Sequence, residues 1–238
     1  MTIDVDYLSP QAIESEANAL LASFEAKHGK ILSLETPLDE IVEFHLGLTC
    51  EMADLGHEAI LGQIDIEDKI IRINENLDTS AYPNKEGRFN YTLGHEAGHW
   101  VLHRSYVEKE ITESLFEEKK EKIILCRQQE QKARVEVQAD MFASFLLMPA
   151  RKVFDQFVEE TGRPNGLDIN AFVWGMRQER NFMDREFPSP FYIPSDEDIL
   201  LHAFADLAKR FKVSRQAMVY RLKTLGLLSD AKQGMLAF

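Results

Sequence analysis

At 238 residues, 45% of them hydrophobic and 10% aromatic, the chain is long enough for one large domain or a domain with a small appendage. A formal charge of −13 argues against wholesale binding to nucleic acid or anionic membranes, and no run approaches the roughly 18 apolar residues needed to span a bilayer. No basic start followed by an apolar stretch marks a secretory signal, and two cysteines (Cys50 and Cys126) are too few for a disulfide framework, so a cytoplasmic protein is expected.

Ser9 and Pro10 open a helical pattern that runs to Lys27, with Ser9 as N-cap, Pro10 at the first helical position and Gly29 as the stop. A short helix follows from Pro37 to just before Gly47, with Leu38, Ile41, Val42 and Leu46 at helical spacing. The period then changes. Ile60, Ile64 and Ile66 lead into a polar turn at Glu67 and Asp68, and Lys69 to Ile73 alternates again, which predicts an antiparallel hairpin. Residues 74–87 read as loop, and Arg88 to about His103 as helix. The segment Ser105 to Arg127 is heavily charged and reads as a solvated helix face or an excursion. A long helix is expected from Gln131 to Leu147, stopped by Pro149, and another from Ala150 to Glu160. Pro188, Pro190 and Pro194 mark a linker before a helical tail from Asp196 to Leu228. These elements predict an α+β fold dominated by helix, with a small antiparallel sheet and two regions, 1–162 and 163–238.

Within the helix expected at 88–103, Thr92 to His103 reads TLGHEAGHWVLH and contains His-Glu-x-x-His at 95–99. Residues four apart stack on one helix face, so His95 and His99 can reach a single ion. Glu96 sits about 100° around the helix, where it can act as general base toward an activated water. With 7 His in the chain, chance yields on the order of 0.02 such matches, so the pattern is specific. Gly98 would cost a helix about 1 kcal/mol against Ala, which suggests that something packs closely there. His103 lies about 6 Å further along the axis than an ion centred between the two ligands, and is expected to support the site rather than bind metal.

A catalytic zinc needs three protein ligands and one open position. The third is sought on the long helix, where Glu136 and Asp140 share one face of an otherwise apolar run, a placement that costs heavily unless a cation meets them. Glu136 is therefore the expected third ligand, and Asp140 the acceptor of the other ring N–H of His95. Glu110 and Glu113 lack this apolar setting. Zinc suits the donor set, although ligand type alone does not exclude manganese. Cys126 reads as a small buried hydrophobe. A structural zinc domain would need a fourth protein ligand. The strand Lys69 to Ile73 is expected to offer an edge to an extended substrate.

The stretch Phe89 to His99 (FNYTLGHEAGH) together with Glu136 to Pro149 (EVQADMFASFLLMP) resembles the ImmA/IrrE family of zinc metallo-endopeptidases. The resemblance runs from the helix at Pro37 onward. It implies a zincin-like core, His95, His99 and Glu136 as zinc ligands, Glu96 as catalytic base, and a protein substrate such as a transcriptional repressor. The interval between the two motifs is longer here than in shorter members of that family.

Ile199 to Gly226 is a basic island of charge +5 on this acidic chain. Ala205 to Gly226 follows a helix-turn-helix pattern, with Ser214 capping the second helix. Arg215, Arg221 and Lys223 could meet phosphates and Gln216 a base edge. The turn lacks the usual glycine and the protein is acidic, which favours packing or docking of a protein partner over contact with DNA. The alternative to an enzyme is thus a regulator that uses 199–226, with a sensory or inactive zinc site.

Overall fold

The computed structural model describes residues 5–113, 123–127, 133–189 and 191–230, with 110–113 and 123–127 as backbone only. Helix α1 (Pro10–His28) starts as expected, with the Ser9 hydroxyl accepting from the Ala12 N–H at 3.2 Å and Pro10 at the first helical position. It buries Ile13, Ala17, Leu20 and Phe24. Helix α2 (Leu38–Glu40) passes into a π turn at Ile41–His45 that buries Ile41 and Val42.

Strand β1 (Thr49–Ala53) follows, then the hairpin of β2 (Ile60–Asp65) and β3 (Ile70–Asn74). At its turn Asp65 Oδ1 accepts from the N–H groups of Glu67 and Asp68, and Lys69 adopts φ 57°. Helix α3 (Glu86–Gly98) carries the His-Glu-x-x-His residues and continues through a π turn at His99–His103 into α4 (Arg104–Glu113). Part of the charged excursion is therefore helix. Strand β4 (Ile123–Arg127), which includes Cys126, and helix α5 (Arg134–Leu147) complete this unit. Residues 117–122, the most charged part of the excursion, lie outside the described residues, as do the side chains of Glu110, Glu113 and Cys126.

The sheet corrects two expectations. Its order is β1-β3-β2-β4 and it is mixed rather than antiparallel, because β1 pairs parallel to β3 from Thr49↔Ile70 to Ala53↔Asn74. β3 consequently has a neighbour on both sides, so Lys69 to Ile73 offers no free edge to a substrate. Ile64, Ile71 and Ile73 are fully buried on the sheet, against which α3 packs.

On its other side α3 meets α5, which also packs on α1. A Cβ on Gly98 would come within 3.2 Å of Ala139 Cα and of Phe142 Cβ, and one on Gly94 within 3.4 Å of Ala143 Cβ. Position falls along α3 as it rises along α5, so the two helices run antiparallel with small residues at the crossing. The opening expected at Gly98 is thus filled by the backbone of α5.

The chain divides into two compact units after Leu147, earlier than the break expected after 162. The reason lies in α6 (Ala150–Thr161), which packs with later elements: Phe157 stacks near Phe204 and Arg210 pairs with Glu160 at 3.1 Å. The second unit continues with β5 (Leu167–Asp168), α7 (Ile169–Gln178), α8 (Arg180–Glu186), α9 (Asp196–Ala203), α10 (Ala205–Arg210), α11 (Arg215–Thr224) and β6 (Leu228–Ser229). β5 and β6 form a two-residue parallel pair. The turn between α10 and α11 places Lys212 at φ 52°, where glycine would be easier, and Ser214 caps α11 through the Ala217 N–H. Arg221 departs from its expected role. It is buried and donates from Nε to the Met148 carbonyl at 3.0 Å, so it cannot meet a phosphate. No helix among the described residues is long and apolar enough to cross a membrane.

The same substitution should have opposite effects at two helical glycines. Gly98→Ala places a methyl 3.2 Å from Ala139 Cα and from Cβ and Cδ1 of the buried Phe142, and overpacking of this kind costs about 1–3 kcal/mol, offsetting the helix-propensity gain of about 1 kcal/mol. Gly175→Ala on α7 meets nothing within 4 Å and should stabilise by about 0.5–1 kcal/mol. Urea denaturation midpoints of the two variants test this; a stabilising Gly98→Ala would show that the crossing has slack.

Candidate metal centre

Helix α3 presents His95 and Glu96, and the π turn that continues it His99, on a segment buried between the sheet and α5, and α5 brings Glu136 and Asp140 to it. His95 Nε2 and His99 Nε2 lie 3.0 Å apart. Glu136 closes the triangle, with Oε2 3.3 Å from His95 Nε2 and Oε1 3.5 Å from His99 Nε2. Both imidazoles are fully buried, and Glu136 is 15% exposed.

These distances can be compared with what an ion requires. Ligands at 2.0–2.1 Å from a tetrahedral metal stand about 3.3–3.4 Å from one another. The three separations bracket that edge length.

The hydrogen-bond network assigns the ring tautomers. A carboxylate only accepts, so Asp140 Oδ1, 3.0 Å from His95 Nδ1, holds the proton there and leaves a lone pair on His95 Nε2. Burial holds His99 well below, and His103 below, the ordinary imidazole pKa, with neighbouring imidazoles adding to the effect, so both rings are neutral near neutrality. His103 does not enter the cluster. Its Nδ1 faces His99 Nδ1 at 3.1 Å, and its Nε2 faces Gln138 Oε1 at 2.9 Å. It stands beyond His99 on the π turn.

Glu96 is fully buried, and burial pushes its pKa up to about 8, with His95 opposing the rise and the charge of Glu136 adding to it. Neither of its carboxylate oxygens, nor Glu136 Oε2, has a hydrogen-bond partner among the described residues. Buried carboxylate oxygens are seldom left so. An unsatisfied Glu136 oxygen beside two facing imidazole nitrogens belongs to a donor set that fits a divalent cation. The group His95, His99 and Glu136 could therefore hold a metal ion.

Two residues escaped the reading of the sequence. Gly62 on β2 makes room for Glu96: a Cβ there would stand 2.7 Å from Glu96 Oε1 and 2.7 Å from Thr92 Cγ2. Its signal was a glycine inside an alternating strand run, which often marks close approach of another group. Gln138, on α5 between Glu136 and Asp140, is buried and holds His103. Cys50, by contrast, is no reactive thiol: burial, then Asp39, Glu43 and Glu51, push it up to about 12.

Comparison with protein-family models gives no match, and comparison with curated proteins gives none either.

The buried Glu96 gives the metal-free protein a defined pH dependence. Unfolded, this carboxyl ionises above about 4.5; folded, it stays protonated up to about 8. The folded state binds the extra proton between those values, so stability falls as pH rises through that window. Glu96→Gln removes the effect without changing shape. In chelator-treated protein, urea midpoints of wild type and variant should coincide near about pH 4, and the variant should gain an advantage on the order of a few kcal/mol by about pH 8–9. The opposite slope contributed by His99 is common to both proteins. A gap that does not change with pH would refute the assignment.

Proposed function

We propose that the chain is a zinc-dependent endopeptidase that cuts a specific regulatory protein, with His95, His99 and Glu136 as ligands and Glu96 as catalytic base. The observation that carries this reading is the triangle of His95 Nε2, His99 Nε2 and Glu136 carboxylate oxygens at 3.0–3.5 Å. Three ligands rather than four suit an open, catalytic position. When bound there, zinc supplies Lewis acidity that polarises a carbonyl and acidifies water.

The residues of the chain would do the rest. Glu96 accepts a proton from the attacking water at a carboxylate oxygen and returns it to the leaving amine nitrogen. Its burial favours that second step, because a carboxylate out of water gives up little by staying protonated until the amine departs. Asp140 keeps the proton of His95 on Nδ1, so that Nε2 faces the centre. Gly62 leaves the space in which the Glu96 carboxylate sits.

The substrate class rests on the resemblance to ImmA/IrrE proteases, which implies a transcriptional repressor. A regulator that binds DNA through 199–226 has less support, since Arg221 is buried and Lys223 is paired with Glu197 at 3.1 Å.

Zinc stoichiometry and affinity on purified protein form the direct test. Wild type and Glu96→Gln should each bind one zinc. Glu136→Ala should lose more than the 10–100-fold that removal of a supporting hydrogen bond costs. Zinc-loaded wild type should cleave its repressor substrate in a panel of such proteins, and Glu96→Gln should leave the same panel intact. Absence of zinc binding by the wild type would sink the reading, and unchanged affinity in Glu136→Ala would remove Glu136 from the ligand set.

A further inference from the structure

A chain of hydrogen bonds leaves the metal centre on the side opposite Asp140. From the inside outward it runs His99 Nδ1 to His103 Nδ1 at 3.1 Å, His103 Nε2 to Gln138 Oε1 at 2.9 Å, and Gln138 Nε2 to the Asp6 carbonyl at 2.8 Å. Its direction follows from the outer end. A backbone carbonyl can only accept, so the Gln138 amide must turn its NH2 toward Asp6 and its oxygen toward His103. His103 therefore carries its proton on Nε2, and its Nδ1 is left as an acceptor. His99 Nδ1 faces that acceptor and so must be the donor, which leaves Nε2 as the nitrogen turned to the cluster. That is the nitrogen 3.0 Å from His95 Nε2.

The outer end is itself tied down. Val5 is buried, and its carbonyl accepts from Arg134 Nη1 at 2.8 Å. The Asp6 carboxylate accepts from Tyr106 Oη at 3.0 Å. The carbonyl that orients Gln138 is thus held by groups from both α4 and α5.

We propose that Gln138 is the positioning residue for His99: anchored by the Asp6 carbonyl, it selects through His103 the tautomer in which His99 can bind a metal. The proposal rests on the reading of His95, His99 and Glu136 as ligands, and assigns the His99 side of the site the role that Asp140 has on the His95 side. Asp140 acts as a carboxylate and needs no anchoring. An amide can flip, and flipping Gln138 would present its NH2 to His103, reverse both tautomers and put a proton on His99 Nε2.

The test uses the full chain, nitrogen-labelled at histidine, with the His99 tautomer read by long-range nitrogen–proton NMR on chelator-treated protein and zinc affinity read by competition with a chromogenic chelator. Wild-type His99 should carry its proton on Nδ1. Gln138→Leu, which removes the acceptor for His103, should shift His99 toward the Nε2-protonated form and weaken zinc binding about 10–100-fold. Gln138→Glu still accepts from His103 and should keep both the tautomer and most of the affinity. Three results would overturn the proposal: a wild-type His99 protonated on Nε2, a Gln138→Leu protein with unchanged tautomer and affinity, or a Gln138→Glu protein as impaired as Gln138→Leu, which would point to packing alone. The first result, or loss of the Nδ1-protonated form of His99 in Gln138→Glu, decides the matter even if Gln138→Leu does not fold. Failure of wild type to bind zinc would overturn the ligand assignment and this proposal together. Affinity lost in His95→Ala but retained in Gln138→Leu would overturn the positioning role alone.

Discussion

The approach of α3 to α5 decides whether two histidines on one helix can share anything with two carboxylates on another. Helix axes normally lie 8–10 Å apart, depending on the side chains between them. Here Gly98 meets Ala139 and Phe142, and Gly94 meets Ala143, so the contact is made with almost no side chain between the backbones. Short reach is what the carboxylates need. Glu136 spans to both imidazoles, and Asp140 to the far nitrogen of His95, from positions four apart on one face of α5. Gly62 provides a second close approach on the opposite side of α3, where the sheet would otherwise collide with Glu96. The glycines that weaken α3 as a helix are thus the condition for this approach of imidazoles and carboxylates. Burial of Leu93 and Ala97 on the same helix, and of Phe142 and Leu146 on α5, offsets that weakness.

Burying so many polar groups in one place is costly unless each has a partner. Following the partners outward shows a division. The Nδ1 atoms of both ligand histidines and the ring of His103 are satisfied, and the amide of Gln138 is satisfied at both ends. The groups without hydrogen-bond partners are the oxygens of Glu96 and one oxygen of Glu136. A network complete around its rim is organised before any ion arrives, which would keep the ordering cost out of the binding of an ion by His95, His99 and Glu136.

Helical period carried the sequence reading furthest. His95, His99, Glu136 and Asp140 are each four residues from their partner, and a spacing of four has one geometric meaning on a helix. Ser9, Pro10 and Ser214 were legible for a similar reason, because capping is a local event. What escaped was fixed by distant parts of the chain. The parallel pairing of β1 with β3 joins segments with a whole strand between them, and no local pattern distinguishes it from an antiparallel edge. Arg221 looks like any basic residue on an exposed helix until the Met148 carbonyl is found beside it. Gln138 was passed over because an amide carries no charge to mark it, although a buried amide in an apolar helix needs partners as surely as a carboxylate does.

The two supporting residues of the ligand histidines differ in kind. Asp140 is a carboxylate in direct contact with His95, and its effect is electrostatic as well as directional: negative charge at Nδ1 makes Nε2 a stronger donor to a cation. His99 is backed by a neutral ring and a neutral amide, which transmit direction but no charge. If both histidines were backed by carboxylates, the centre would hold three acids around two imidazoles before counting Glu96, and each added negative charge would push Glu96 further toward the protonated form. A neutral relay on the His99 side fixes the tautomer without that consequence. Charge on one side and orientation alone on the other orient both imidazoles without placing a further negative charge beside Glu96.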